Sequence, residues 1–111
     1  MPATFPEVAP AVLTGTEGTF YTVTSSPAKK CIKVEIWLTN THTAGISVSL
    51  YLVPNAGSIA VSNQIYADTV PAKRTIPMTI ACNLGTSGTL RGLAGTANLV
   101  GLRIAPVEIP A

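Results

Sequence analysis

The alternation of apolar and polar side chains between Cys31 and Pro54 most constrains what this chain can form. Large aliphatic residues occupy every second position of residues 32–38 and 46–52, and the polar segment 40–45 separates the two runs. Strand side chains alternate between two faces, so each run predicts a strand with one buried face. Gly45 ends the polar segment and suits a turn, so we expect an antiparallel hairpin. The expected buried row is Ile32, Val34, Ile36, Leu38, Ile46, Val48, Leu50 and Leu52.

One apolar row requires a second layer, and the rest of the chain offers further strands to cover it. Short strands are predicted at residues 11–14, 19–24, 75–82, 89–93 and 98–105. Residues 59–67 fit either two short strand pieces or one helical turn followed by a strand. Pro77 indicates an edge strand or a bulge, and Pro106 predicts an interruption of the last strand. Seven to nine strands with turn signals about every 8–12 residues predict an all-β, antiparallel, jelly-roll-like β-sandwich.

The chain divides into two parts by composition. Residues 1–10 contain Pro2, Pro6 and Pro10, which favour an extended arm over a helix or a central strand. Phe5 and Val8 give this arm apolar anchors, and it could fold back on its own domain, lie on a neighbour or be a loose terminus. Residues 11–111 are predicted to form a single β-sandwich domain.

The low charge content indicates that part of the surface is covered in an assembly. Hydrophobic residues make up 47% of the chain and charged residues 11%, against about 25% charged residues in a typical domain. We therefore expect a homo-oligomer or part of a large assembly, the alternative being a monomer with a Ser/Thr-rich surface. The net charge is only +2, whereas a nucleic-acid-binding protein carries a dense basic face, so we do not expect nucleic-acid binding. No signal peptide and no apolar run near the roughly 18 residues of a membrane span are recognisable.

No catalytic motif is apparent, so we expect a protein that is not an enzyme. His42 is the single histidine, which excludes a His-rich metal site within one chain, and we expect it to be an exposed turn residue. The acids stand apart from one another and give no support for general acid–base chemistry. No cofactor or metal site is predicted. The five acids are Glu7, Glu17, Glu35, Asp68 and Glu108.

The two cysteines are predicted to be free thiols. Strict alternation places Cys31 on the outer face with Lys33, and Cys82 on the inner face with Met78 and Ile80. Side chains on opposite faces of a sheet cannot be bridged without moving the backbone.

Trp37 and Tyr51 are expected on the face of the hairpin that points away from the core. If the two strands pair, both rings lie on one side and mark a partner surface, because Trp and Tyr are enriched at interface hot spots. The alternative is that both rings belong to a second buried face of a central strand.

For Glu35, a cross-strand ion pair is the simplest expectation. The candidate partner-interface residues are Phe5, Val8, Lys33, Glu35, Trp37 and Tyr51.

A series of short motifs follows in a fixed order along residues 19–109. In this order and spacing the chain resembles a family of small β-sandwich virion structural proteins of tailed bacteriophages. It departs from that family near its end, where a usual Gly-Asp-x-Ile segment is replaced by Gly88-Thr89-Leu90-Arg91. The motifs are Phe20-Tyr21-Thr22-Val23, Pro27-Ala28-Lys29, Leu38-Thr39-Asn40-Thr41, Leu50-Tyr51-Leu52-Val53-Pro54, Gly57-Ser58, Pro71-Ala72-Lys73 and Val107-Glu108-Ile109.

The resemblance implies a non-enzymatic virion protein. A chain of this size looks like a head decoration (cement) protein that binds the outer capsid surface and stabilises the shell. Its partners would be the major capsid protein, copies of itself, or both, with no nucleic acid or membrane. It would be located at the capsid surface after assembly in the host cytoplasm, whose reducing conditions favour free thiols. The alternative is a tail, fibre or adhesin module whose loops 40–45, 54–58 and 83–88 bind a host surface glycan or another virion protein.

Overall fold

Short alternating segments separated by Gly- and Pro-containing turns give a structure built almost entirely of strands. The computed structural model describes residues 3–111, and within that range one 3₁₀ turn, Val61–Asn63, accompanies the strands. The eight strands are β1 Ala11–Val12, β2 Gly18–Thr22, β3 Lys29–Asn40, β4 Ile46–Val53, β5 Gln64–Val70, β6 Thr75–Leu84, β7 Thr89–Ala94 and β8 Val100–Pro110.

The strands form two four-stranded sheets in the orders β1-β8-β3-β6 and β2-β7-β4-β5. Every pairing between neighbouring strands is antiparallel. Successive strands alternate between the two sheets, except that β4 and β5 pair within one sheet, and this is the arrangement of a jelly roll. The predicted all-β sandwich is therefore confirmed. β6 lies at the edge of its sheet, as Pro77 indicated, but β8 runs through Pro106 without the predicted interruption.

The predicted hairpin of residues 31–54 is wrong, because β3 and β4 belong to different sheets. The buried Asn40 side chain explains the crossing. Its Nδ2 donates hydrogen bonds to the carbonyl oxygens of Ala44 and Val70, both at 2.9 Å, and its Oδ1 accepts one from the His42 amide at 2.9 Å. These bonds close the turn at 40–45 and attach it to the end of β5 in the second sheet. His42 itself is exposed, as predicted.

The inner faces of the two sheets form one core. The alternation correctly predicts most of the buried row, but Ile32 is exposed and Cys31 is completely buried. A β-bulge between Cys31 and Lys33 shifts the pairing of β3 with both β6 and β8 and reverses the alternation at this point. The buried members of the predicted row are Val34, Ile36, Leu38, Ile46, Val48 and Leu50, whereas Leu52 is half-buried.

Glu108 joins the two sheets at one end of the sandwich. It lies on the inner face of β8 and is only 1% exposed. Its carboxyl group accepts hydrogen bonds from the Tyr21 hydroxyl and, at 3.1 Å, from the Thr24 amide, so β8 of one sheet is connected to β2 of the other and to the residues that follow it. A buried carboxyl group is costly unless it is hydrogen-bonded, and Oε2 of Glu108 accepts both of these bonds.

We expect Tyr21→Phe to lower the free energy of unfolding by about 1–3 kcal/mol, because it leaves the buried Glu108 carboxyl group without one of its donors. Urea unfolding monitored by circular dichroism would measure the change. Tyr51→Phe is the matched control, since its hydroxyl accepts a single 3.3 Å bond from Gln64 in a less buried place. Equal losses in the two variants would contradict the role assigned to Glu108.

The buried pair of Tyr21 and Glu108 lowers the free energy of unfolding at alkaline pH. Burial, and next the hydrogen bond to Glu108, raise the pKa of Tyr21 above its ordinary value of 10.0. Above about pH 10 the unfolded chain therefore releases a proton that folded Tyr21 retains, and the free energy of unfolding declines as pH rises. Urea midpoints measured between pH 7 and pH 11 should show this decline, and Tyr21→Phe should reduce its slope. An unchanged slope in Tyr21→Phe would refute the assignment.

Candidate partner-binding site

The outer face of the sheet that contains β3 presents a mixed apolar and charged surface. Antiparallel register fixes which side chains lie beside each other across β8, β3 and β6. One row across the three strands contains the half-buried Trp37, with Arg103 on one side and Pro77 on the other. The next two rows are Ala105, Glu35 and Thr79, then Val107, Lys33 and Ala81.

The N-terminal arm lies along the open side of β8 and adds a wall to this face. The Thr4 amide donates to the Glu108 carbonyl at 2.7 Å, and the Glu108 amide donates to the Thr4 carbonyl at 2.9 Å. Val8 packs against the core, whereas Phe5 remains 74% exposed. Of the three arrangements considered for the arm, residues 3–10 therefore adopt the one in which it folds back on its own domain.

The arm and the sheet enclose a groove of about 440 Å³, here called the arm groove. Its floor is the outer face of β3 and β8, and its wall is residues 5–8. Such a concave surface with an apolar base and a few charged groups suits binding of a partner. The lining residues are Phe5, Pro6, Glu7, Val8, Lys33, Glu35, Trp37, Arg103, Ile104, Ala105, Pro106 and Val107.

The charges of the arm groove are balanced. Lys33 and Glu35 form an ion pair of 3.4 Å along the same strand, so the expectation of a cross-strand pair for Glu35 is wrong. Both side chains are well exposed, and such a pair contributes little stability. Arg103 and Glu7 add one charge of each sign. The arm groove therefore has no strong preference for a polyanion or a polycation, which favours a partner with its own mixture of charged and apolar groups.

The structure brings five of the six candidate interface residues into the arm groove and separates the sixth. Tyr51 lies in β4 of the second sheet, away from Trp37, because β3 and β4 are not a hairpin. Its hydroxyl accepts a hydrogen bond from Gln64 Nε2 at 3.3 Å. Sequence reasoning missed Arg103 and Val107. The alternation of Leu102 and Ile104 toward the core was the signal that could have placed them outside.

Other kinds of site are not apparent in the described range. Among residues 3–111, His, Cys, Asp and Glu side chains do not gather in groups of three or more that could hold a metal ion. None of the secondary-structure elements there is a helix long and apolar enough to span a membrane.

Comparisons with known proteins identify similar folds among solved structures. No protein-family model matches the sequence. No curated protein matches it significantly. Among solved structures, a chain of the disulfide-linked pili that form Bacillus endospore appendages is similar with a TM-score of 0.61 and 13% identity, covering 97% of this chain and 88% of that one.

Two viral structures have the same fold. A chain of the acid-stable capsid of Helicobacter pylori bacteriophage KHP30 has a TM-score of 0.56 and 13% identity, covering 99% of this chain and 95% of that one. A chain from infectious bursal disease virus strain Gx has a TM-score of 0.60 and 13% identity, covering 99% of this chain. The chain spans only 33% of that viral protein. At such identities the likeness establishes the shared sandwich fold.

Trp37 is the single tryptophan of the chain, so its fluorescence reports on the arm groove alone. We expect acrylamide to quench the folded protein to an extent between that of a buried indole and that of the urea-unfolded chain. Arg103→Ala should increase quenching, because Arg103 lies directly beside Trp37 on β8. Arg74→Ala, in the exposed turn before β6, is the control and should change nothing. Equal effects of the two variants would contradict the described surroundings of Trp37.

Proposed function

We propose that this chain is a non-enzymatic structural protein of a virion, and specifically a head decoration protein that binds the outer capsid surface and stabilises the shell. Its partners are the major capsid protein, neighbouring copies of itself, or both. The observation that carries this proposal is the arm groove, in which the arm and one sheet of the sandwich present aromatic and aliphatic groups beside balanced charges.

The arm groove supplies the contacts that such binding needs. Phe5 is 74% exposed, and Trp37 forms one end of the floor, beside Arg103. Aromatic side chains that become fully buried at an interface contribute much of its binding energy. Burial of Phe5 against a partner would contribute roughly 1.5–3 kcal/mol. Placement of Phe5 on the arm and Trp37 on the sheet lets one partner segment contact both.

Composition and fold likeness support the same proposal. Only 11% of residues are charged, which suits a protein whose surface is partly covered in an assembly. The chain from the KHP30 capsid structure is comparable in length as well as in fold, since the alignment covers nearly all of both chains. In a symmetric shell the same modest contact is repeated many times, and neighbouring contacts reinforce each other.

The abundance of the chain in purified particles tests the proposal. In particles of the virus that encodes it, a decoration protein should be present at roughly hundreds of copies, because symmetry repeats its site over the whole shell. Quantitative gel electrophoresis or mass spectrometry would count them. About a dozen copies or fewer would indicate the tail, fibre or adhesin alternative, since a tail has few symmetry-related positions. Absence from the particle would refute a virion role.

Variants of the arm test whether the arm groove makes the contact. Phe5→Ala should leave folding unchanged and weaken binding to heads that lack the protein by about ten- to a hundredfold, the equivalent of burying one large side chain. Val61→Ala is the control, because Val61 is 89% exposed and lies outside the arm groove. Sedimentation of labelled protein with heads would measure both.

Deletion of residues 1–10 extends the same test. The truncated chain should remain folded, because every fully buried side chain of the core and the hydrogen bonds of the Glu108 side chain lie within residues 11–111. It should fail to sediment with heads. Head binding at the wild-type level by a folded truncated chain would eliminate the arm as the contact.

A further inference from the structure

The β-bulge in β3 brings the two thiols of the chain together, contrary to the strict alternation that separated them. Beyond the bulge Cys31 points inward, on the same side of the sheet as Cys82 of the neighbouring β6. The Cys82 Sγ lies 3.8 Å from the Cys31 Sγ and 3.4 Å from the Cys31 carbonyl oxygen. In this structure both are free thiols. Small side-chain rotations on two adjacent strands would bring the sulfurs into bonding contact.

The two thiols differ in their access to solvent. Cys31 is 0% exposed, and its Sγ donates to the Lys33 carbonyl at 3.3 Å. Cys82 is only half-buried, because β6 is an edge strand with a single neighbour. A small reagent in solvent therefore meets Cys82 first, and Cys31 lies behind it in the core.

We infer that Cys31 and Cys82 form a redox pair that closes to an intrachain disulfide by exchange with a low-molecular-weight disulfide such as oxidised glutathione. The Cys82 thiolate attacks one sulfur of the reagent, forms a mixed disulfide and releases one thiol. The Cys31 thiol loses its proton and attacks the Cys82 sulfur, which releases the second thiol. The protein gives up two hydrogens and two electrons, and the reagent becomes two thiols.

The reaction is slow at neutral pH. Burial is the main cause that raises the pKa of the Cys82 thiol, to about 12, so little thiolate is present. Both thiols therefore remain reduced in reducing surroundings, and the bond forms on prolonged exposure to oxidising surroundings.

The disulfide would attach the edge strand β6 to the central strand β3. It would close a loop between positions separated by 51 residues, which restricts the unfolded chain and stabilises the folded one. An edge strand is the part of a sheet most open to separation or to pairing with another chain, and the bond would hold it in place.

Incubation of the folded protein in oxidised glutathione, followed by intact mass measurement, tests the pair. The wild type should become a monomer that is lighter by two hydrogens. Its urea midpoint should rise, and reduction of the disulfide should restore the original midpoint. Cys31→Ser should instead accumulate one glutathione adduct on Cys82. Cys82→Ser should remain unmodified, because Cys31 is buried. Circular dichroism checks folding, and Cys31→Ala replaces Cys31→Ser if serine is not tolerated in the core.

Two outcomes would overturn the inference. One is a wild type that retains a stable glutathione adduct or links to a second chain instead of losing two hydrogens. The other is a wild type that stays unmodified under conditions in which the urea-unfolded chain reacts. The double variant Cys31→Ser, Cys82→Ser is the control for the stability measurement, and its midpoint should not respond to oxidised glutathione.

Discussion

The pairing of β3 with β8 on one side and β6 on the other is the constraint on which the rest of the structure depends. β3 is a strand of 12 residues that runs through the middle of its sheet. Its inner side chains complete the core, and its outer side chains form the floor of the arm groove. Its single bulge turns Cys31 toward Cys82, and its last residue, Asn40, directs the chain into the second sheet. A change of register by one residue would exchange core and surface along the whole strand.

Much of this fold could be predicted because the alternation of side chains is regular. Val34, Ile36 and Leu38 are buried as their spacing indicated, and Pro77 marks an edge strand. Pairing could not be predicted in the same way, since a polar turn ending in glycine serves a hairpin and a crossing between sheets equally well. The hydrogen bonds of the Asn40 side chain to Ala44 and Val70 decide between them, and they depend on the folded position of β5.

The site was predictable to the extent that it follows from alternation. Lys33, Glu35 and Trp37 are on the outer face, as expected, but Tyr51 was placed beside them only through the assumed hairpin. The bulge left no signal in the sequence, so the orientation of Cys31 could not be foreseen. The position of Glu108 could have been foreseen, because counting in twos from Leu102 places it on the inner face.

The proposed function depends on one surface of the protein. The arm is hydrogen-bonded to the sandwich at Thr4, and the two form the arm groove. The opposite sheet carries Tyr51, which is also a half-buried aromatic side chain and serves as an internal reference. A protein that acts by covering a neighbour should show the difference between these faces when it is assembled.

Hydroxyl-radical footprinting of the protein free and bound to particles compares the two faces directly. Phe5 and Trp37 should lose reactivity on assembly while Tyr51 keeps its reactivity. Protection of Tyr51 with unchanged reactivity at Phe5 and Trp37 would contradict binding through the arm groove.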